Sequence, residues 1–133
     1  MSDFKKLKVW RKAYVLALRS YRLATSIRGS DNASLRNQII RAAMSVPTNI
    51  VEGAGQRSRK DFGRFLGFAL NSATELEHHL LFARDIGVIS VSDFETLSAR
   101  SIEVQKMLHG LRNRVMASAG TPSEKSVRTE LTT

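Results

Sequence analysis

The first 28 residues hold most of the excess positive charge of the chain. The formal net charge is +9, and residues 1–28 carry eight basic side chains against one acidic residue, Asp3. Six of these cations fall within an arc of roughly 120° when the segment is drawn as a helix, and no acidic residue shares that arc. We call this set the basic stripe: Lys5, Lys8, Arg11, Lys12, Arg19 and Arg22.

The composition of the basic stripe favours an anionic ligand over a merely solvated surface. Like charges at helical spacing repel one another by roughly a few tenths of a kcal/mol, and a face that serves only solubility usually mixes signs. A row of Lys and Arg can bind the phosphate backbone of RNA or DNA without sequence preference. A solvated basic face remains the alternative.

A second basic cluster, Arg57, Arg59 and Lys60, stands beside a predicted helix start. Unpaired backbone N–H groups and the helix dipole favour phosphate at such a position. Gly53 and Gly55 would allow an anion to approach the backbone. The segment lacks the spacing of a nucleotide-hydrolysing phosphate loop, so we predict anion binding here, with a flexible basic loop as the alternative.

Four polar residues interrupt otherwise apolar helical patterns: Arg41, Asn49, Glu52 and Glu75. They could form an active-site cluster. They could equally form a buried or intersubunit hydrogen-bonded network in which arginine pairs with a carboxylate. No obvious nucleophile or base stands beside them in sequence. We therefore interpret them as a structural network and expect neither catalytic residues nor enzymatic activity.

Metal binding has one partial motif. Glu75 and His78 have the Glu-x-x-His spacing of di-metal bundles, which require a second such motif and two further glutamates. Glu103 and His109 are six residues apart and share a helix face poorly. We expect no metal, no cofactor and no small-molecule substrate.

The elements that position these residues follow from apolar spacings of three and four. They predict helices over residues 4–27, 34–52, 58–86 and 92–117, followed by a flexible tail over 118–133. Pro47 predicts a kink, or a break near Ser45, in the second helix. Serines 58 and 92 predict capping boxes for the third and fourth helices. Short connections predict an all-α, antiparallel, up-down-up-down four-helix bundle.

The first helix has two adjacent apolar seams. One carries Trp10, Tyr14 and Tyr21, and the other carries Val9 and Leu16. Because the aromatic residues lie apart from the basic stripe, we expect them to pack in the core rather than to stack on bases. Two seams are wider than one bundle contact needs. Either the helix is deeply set or its outer seam meets another subunit.

The chain has no cysteine, which removes disulfides and thiolate sites. No apolar run approaches the roughly 20 residues that span a bilayer, and no signal peptide is evident. We therefore expect a cytoplasmic protein that does not bind membranes.

Motifs through most of the chain resemble one bacterial family. These are Leu7-Lys-Val-Trp10-Arg-Lys-Ala13, Gln38-Ile-Ile-Arg41-Ala-Ala-Met-Ser45-Val-Pro47-Thr-Asn49-Ile-Val-Glu52-Gly53, Phe65-Leu-Gly-Phe-Ala69 and Met107-Leu-His-Gly-Leu111. They resemble small four-helix-bundle proteins encoded in intervening sequences of 23S ribosomal RNA genes. The resemblance implies a ring-shaped homo-oligomer, a homopentamer, and no established biochemical activity.

The sequence thus predicts a non-enzymatic homo-oligomer that binds nucleic acid through the basic stripe. The alternative is a protein–protein assembly or adaptor module without a nucleic-acid ligand.

Overall fold

Four α-helices build the computed structural model, which describes residues 3–119. They are α1 (Lys8–Ser26), α2 (Ala33–Ala54), α3 (Arg59–Asp85) and α4 (Val91–Ala117). Short 3₁₀ turns, Phe4–Lys6 and Ser30–Asn32, precede α1 and α2. No strand occurs within residues 3–119, and the prediction of an all-α bundle of four helices is confirmed. The predicted flexible tail lies, from residue 120 onward, outside the described residues.

One core collects apolar side chains from all four helices. Leu16, Ile50, Leu66 and Leu108 are each 0% exposed. Burying a leucine or isoleucine side chain stabilises the folded chain by roughly 1.5–3 kcal/mol, so the shared core supplies the main driving force for folding.

The seam of α1 that enters the core is not the aromatic one. Ala13 and Leu16 are fully buried, whereas Tyr14 is 46% and Tyr21 is 49% exposed. Trp10 is half-buried and stacks on Tyr14, with ring centroids 5.0 Å apart. The expectation that the aromatic residues pack in the core is wrong for both tyrosines. Small side chains on the buried seam bring α1 close to its neighbours, which leaves no room for rings there.

Serine caps open the two long C-terminal helices. The hydroxyl of Ser58 accepts a hydrogen bond from the Asp61 N–H at 3.0 Å, as predicted. At α4 the cap is Ser90, which accepts from the Asp93 N–H at 3.0 Å. The predicted cap, Ser92, lies in the first turn, so α4 begins one residue earlier than expected.

Helix α2 runs without interruption across Pro47, and the predicted break near Ser45 does not occur. Pro47 is buried, and the hydroxyl groups of Ser45 and Ser72 are hydrogen-bonded at 2.6 Å between α2 and α3. Packing on both sides holds the helix together where the proline removes a backbone hydrogen bond.

Helices α2 and α3 approach closely at Gly53. A Cβ atom built there would lie 3.0 Å from Phe62 Cδ1 and 3.0 Å from Phe65 Cβ. Phe62 is 1% exposed, so its ring has little freedom to move. An added methyl group at this position would therefore have to displace Phe62 or Phe65 by a few tenths of an ångström.

We predict that Gly53→Ala lowers the free energy of unfolding by about 1–2 kcal/mol, because the added methyl group overpacks this contact. Gly110→Ala in α4 is the control, since its Cβ would meet only Arg114 Nη1 at 3.5 Å. That substitution should raise stability by about 0.5–1 kcal/mol through helix propensity. Urea denaturation measures both values, and equal signs would contradict the prediction.

Candidate functional site

All six cations of the basic stripe are exposed to solvent. Five of them project from the side of α1 away from its buried seam, since α1 places Ala13 and Leu16 in the core. Lys5 lies in the 3₁₀ turn before α1, because the helix begins at Lys8 and not near residue 4 as the sequence predicted. Within α1 itself no carboxylate accompanies them. The stripe is therefore available to a ligand along its length.

Helix α4 supplies carboxylates that helix-face reasoning on α1 alone did not find. Lys12 Nζ lies 3.5 Å from Glu103 Oε1, and both side chains are about half exposed. Asp93 lines a cleft between α1 and α4 together with Arg19 and Arg22. An exposed ion pair of this kind contributes at most about 1 kcal/mol to stability. Glu103 and Asp93 partly neutralise the side of the stripe next to α4, and the stripe as a whole stays positive because it has six cations. Only the tertiary fold reveals these partners, which are about 70–90 residues away in sequence.

The second basic cluster divides between surface and interior. Arg57 and Lys60 are exposed, but Arg59 is 1% exposed. Its Nε donates to the Val115 carbonyl at 3.2 Å and its Nη2 to the Arg114 carbonyl at 3.4 Å. The assignment of Arg59 to an anion site is therefore wrong. Its guanidinium instead occupies the C-terminal end of α4, where carbonyl groups attract a cation.

Arg57 and Lys60 lie at the same end of the bundle as the start of the basic stripe. Phe4 and Trp10 line a groove with Val51, which places the start of α1 beside the last turns of α2. The Arg59 hydrogen bonds place the start of α3 beside the end of α4. The positively charged groups gathered there are Lys5, Lys8, Arg57, Lys60 and Arg114.

The four polar residues do not form a buried network within one chain. Arg41, Glu52 and Glu75 are exposed, and Asn49 is half-buried. Arg41 Nη2 donates to Gln38 Oε1 at 3.0 Å, and Asn49 Nδ2 donates to the Ser45 carbonyl at 2.8 Å. The buried form of the prediction is wrong. Helical periodicity and the Ser45–Ser72 hydrogen bond place all four along the outward side of α2 and α3, and the intersubunit form stays a prediction.

His79 lies on this same side of α3. Its Nε2 is buried and has no hydrogen-bond partner among residues 3–119. Burial lowers the pKa of His79 below its ordinary value of 6.5; Glu75 raises the pKa, while His78 and Arg41 lower it. No group of three or more His, Asp or Glu side chains in the described part of the chain could hold a metal ion.

An apolar groove runs between α1 and α2. Its volume is about 430 Å³, and an edge-to-face contact of 5.1 Å between Phe4 and Trp10 forms one end. We call it the α1/α2 groove, and it is lined by Phe4, Trp10, Tyr14, Ala17, Leu18, Tyr21, Met44, Pro47, Thr48 and Val51.

None of the helices in residues 3–119 is long and apolar enough to cross a membrane.

We predict that Arg59→Ala lowers the free energy of unfolding by about 2–4 kcal/mol, because it removes a buried and a partly buried hydrogen bond and the packing of the side-chain stem. Lys60→Ala, at the adjacent exposed position, should change stability by at most about 0.5 kcal/mol. Thermal or urea denaturation gives both values. A small effect of Arg59→Ala would contradict the structural role assigned to it.

We predict that acidification destabilises the protein partly through His79. Since the folded state lowers the His79 pKa, the unfolded state binds its proton more readily, and stability falls as the pH drops through the ordinary histidine value. Thermal midpoints at about pH 7.5 and about pH 5.5 should differ less in His79→Gln than in wild type. His109→Gln, on the exposed side of α4, should retain the wild-type difference, and equal losses in all three proteins would contradict the assignment.

Comparison with known proteins places this arrangement in a family. A crystal structure of a protein with unknown function from the S23 ribosomal protein family of Bacteroides thetaiotaomicron VPI-5482 is 28% identical, with a TM-score of 0.74. The alignment covers 78% of this chain and 97% of that chain. No curated protein matches. The family described as 23S rRNA-intervening sequence protein matches residues 5–110, and this chain belongs to that family.

Proposed function

We propose that the protein is a non-enzymatic, cytoplasmic homo-oligomer that binds the phosphate backbone of nucleic acid through the basic stripe, Arg57 and Lys60. The observation that carries this proposal is the exposure of all six stripe cations, five of which lie on α1, a helix with no carboxylate of its own. The two loop cations extend the positive surface at the end of the bundle where the stripe begins.

The proposed architecture is an antiparallel up-down-up-down bundle that assembles into a ring-shaped homopentamer. Two hydrogen bonds support antiparallel directions for α3 and α4. Arg59 donates to the Val115 carbonyl, and Ser101 donates to the Ala73 carbonyl at 3.0 Å. Sequence numbers therefore rise along α3 as they fall along the adjacent α4.

Phosphate contacts suit this surface better than base stacking. The stripe holds no aromatic side chain, and Trp10 and Tyr14 lie in the α1/α2 groove, on the α2 side of α1. Lys and Arg contacts give affinity that depends on salt but little on sequence. Copies of the stripe in one assembly would act together, so weak individual contacts would combine through avidity.

Self-assembly is supported by the exposed apolar surface. Tyr14, Tyr21 and Met44 are 46%, 49% and 53% exposed, and all three line the same groove. A contiguous apolar groove of this kind on a protein surface commonly marks an interface. The same observation supports the second candidate function, an assembly or adaptor module whose partner is another protein.

We predict that the double variant Lys8→Gln/Arg22→Gln binds RNA and DNA more weakly than wild type. Each lost phosphate contact should reduce the slope of log affinity against log salt by about 0.7 for single strands and about 0.9 for duplex DNA. Fluorescence anisotropy across a salt series measures the slope. Arg28→Gln/Lys106→Gln removes the same number of exposed charges elsewhere and should leave the slope near that of wild type.

Two outcomes separate the candidate functions. Absence of wild-type binding at about 50 mM salt, where counterion release is favourable, would contradict the nucleic-acid proposal. A protein complex recovered from cell extract that survives nuclease treatment, together with that absence, would favour the adaptor module.

A further inference from the structure

The first turns of α3 carry an aromatic and cationic surface that is separate from the basic stripe. Lys60, Arg64 and Phe68 follow one another at intervals of four residues, so they share one face of the helix. Phe68 is 41% exposed, and both basic side chains are exposed as well. We call these three residues, together with Phe65, the α3 platform.

Packing against α2 holds the rings of the platform in place. A Cβ atom built on Gly53 would lie 3.0 Å from Phe65 Cβ, so Phe65 stands against the last turn of α2. The rings of Phe65 and Phe68 meet edge to face, with centroids 5.5 Å apart and an interplanar angle of 84°. An aromatic side chain has only two side-chain torsions to fix and loses little entropy on binding. Phe68 therefore presents a preformed apolar surface to solvent.

The guanidinium of Arg64 covers part of the same rings. Its Cζ lies 5.0 Å from the centroid of the Phe65 ring and 5.6 Å from that of Phe68. Asp61 Oδ1 lies 3.7 Å from Arg64 Nε, and both side chains are about half exposed. Such an exposed pair is weak, so a ligand can compete for the guanidinium. Arginine planes and phenyl rings both stack on nucleic-acid bases.

We propose that the α3 platform stacks on the unpaired bases of a single-stranded nucleic acid. This inference rests on the proposed nucleic-acid binding and specifies the form of its ligand. Every base has a π face, so stacking tolerates any sequence. In a duplex the bases are stacked on one another inside the helix and are out of reach of a surface side chain. The platform thus adds affinity for single strands that the phosphate contacts of the basic stripe do not supply.

Cations beside the platform supply phosphate contacts for the same strand. Arg57 and Lys60 are exposed at the start of α3. Arg112 of α4 donates from Nε to the Gly63 carbonyl at 3.1 Å, which places a third cation against the first turns of α3. Two turns of helix, about 12 Å, separate Lys60 from Phe68. About three or four nucleotides cover this distance at about 3.4 Å each, so one short strand can contact the cations and the platform together.

The charge of Arg64 favours a nucleotide over an apolar protein surface as the occupant. A partner that covered Phe68 with apolar side chains would also remove water from the guanidinium, and burying a charge without a partner is costly. A nucleotide covers the ring with its base and brings a phosphate that compensates the guanidinium. The exposed carboxylate Glu75 lies about 10 Å beyond Phe68 along α3, outside the platform.

Affinities for a single strand and for a duplex of the same sequence test the platform. Phe68→Ala should weaken single-strand binding about 5- to 100-fold, as expected for the loss of one stacked base, and should leave duplex binding unchanged. The slope of log affinity against log salt should also stay as in wild type, because no phosphate contact is lost. Phe68→Tyr keeps a ring and should bind as wild type does. Phe82→Ala is the matched control, because Phe82 is 52% exposed on the same helix and lies about 21 Å from Phe68.

A strand of abasic nucleotides gives a second measurement that varies the ligand instead of the protein. It keeps every phosphate and has no base. Wild type and Phe68→Ala should therefore bind it equally, which closes a cycle between the ring and the base. RNA and DNA single strands should show the same loss on Phe68→Ala, because stacking involves the base and not the sugar.

The outcomes separate the platform from the proposed function. Absence of wild-type binding to either form at about 50 mM salt would contradict nucleic-acid binding itself. Wild-type binding that Phe68→Ala does not weaken, or an equal loss with the duplex or in Phe82→Ala, would overturn the platform alone. Light scattering accompanies each binding measurement. A changed subunit number in Phe68→Ala would assign the ring to a contact between subunits and would also overturn the platform.

Discussion

The surface of this protein depends on which seam of α1 is buried. The small residues Ala13, Ala17 and Ala24, together with Leu16, face the core and are at most 8% exposed. Their burial sets the rotation of the helix about its own axis. That rotation turns Tyr14 and Tyr21 toward α2 and the cations toward α4 and solvent. A helix rotated by one seam would hide the rings and move the charges, so the core contact of α1 determines both exposed surfaces.

The two sides of α1 are suited to two different functions, which the amino-acid composition of the helix does not distinguish. The apolar side forms a groove with α2 and is suited to protein contacts. The basic side remains open and is suited to an anionic ligand. These tasks do not compete for the same surface, because the groove and the stripe lie on different sides of α1.

Arg59 shows how a basic residue can be structural within a basic segment. Its neighbours Arg57 and Lys60 are exposed, whereas its own guanidinium donates to carbonyl groups at the end of α4. A buried cation is tolerated when hydrogen bonds and a helix C-terminus compensate for its lost hydration. The charge that looked available in sequence is thus used to join α3 to α4, and the candidate anion surface is smaller by one residue.

The four helices and most of the basic stripe follow from local sequence patterns alone. Spacings of three and four residues and the Ser58 cap are local properties. All six stripe cations are exposed, and the five that lie on α1 project away from its apolar seams. Packing between the helices determines which of the two adjacent apolar seams is buried, brings Glu103 of α4 beside Lys12, and buries Arg59. Each of these depends on contacts between residues far apart in the chain, and helical periodicity carries no information about what packs against a given face.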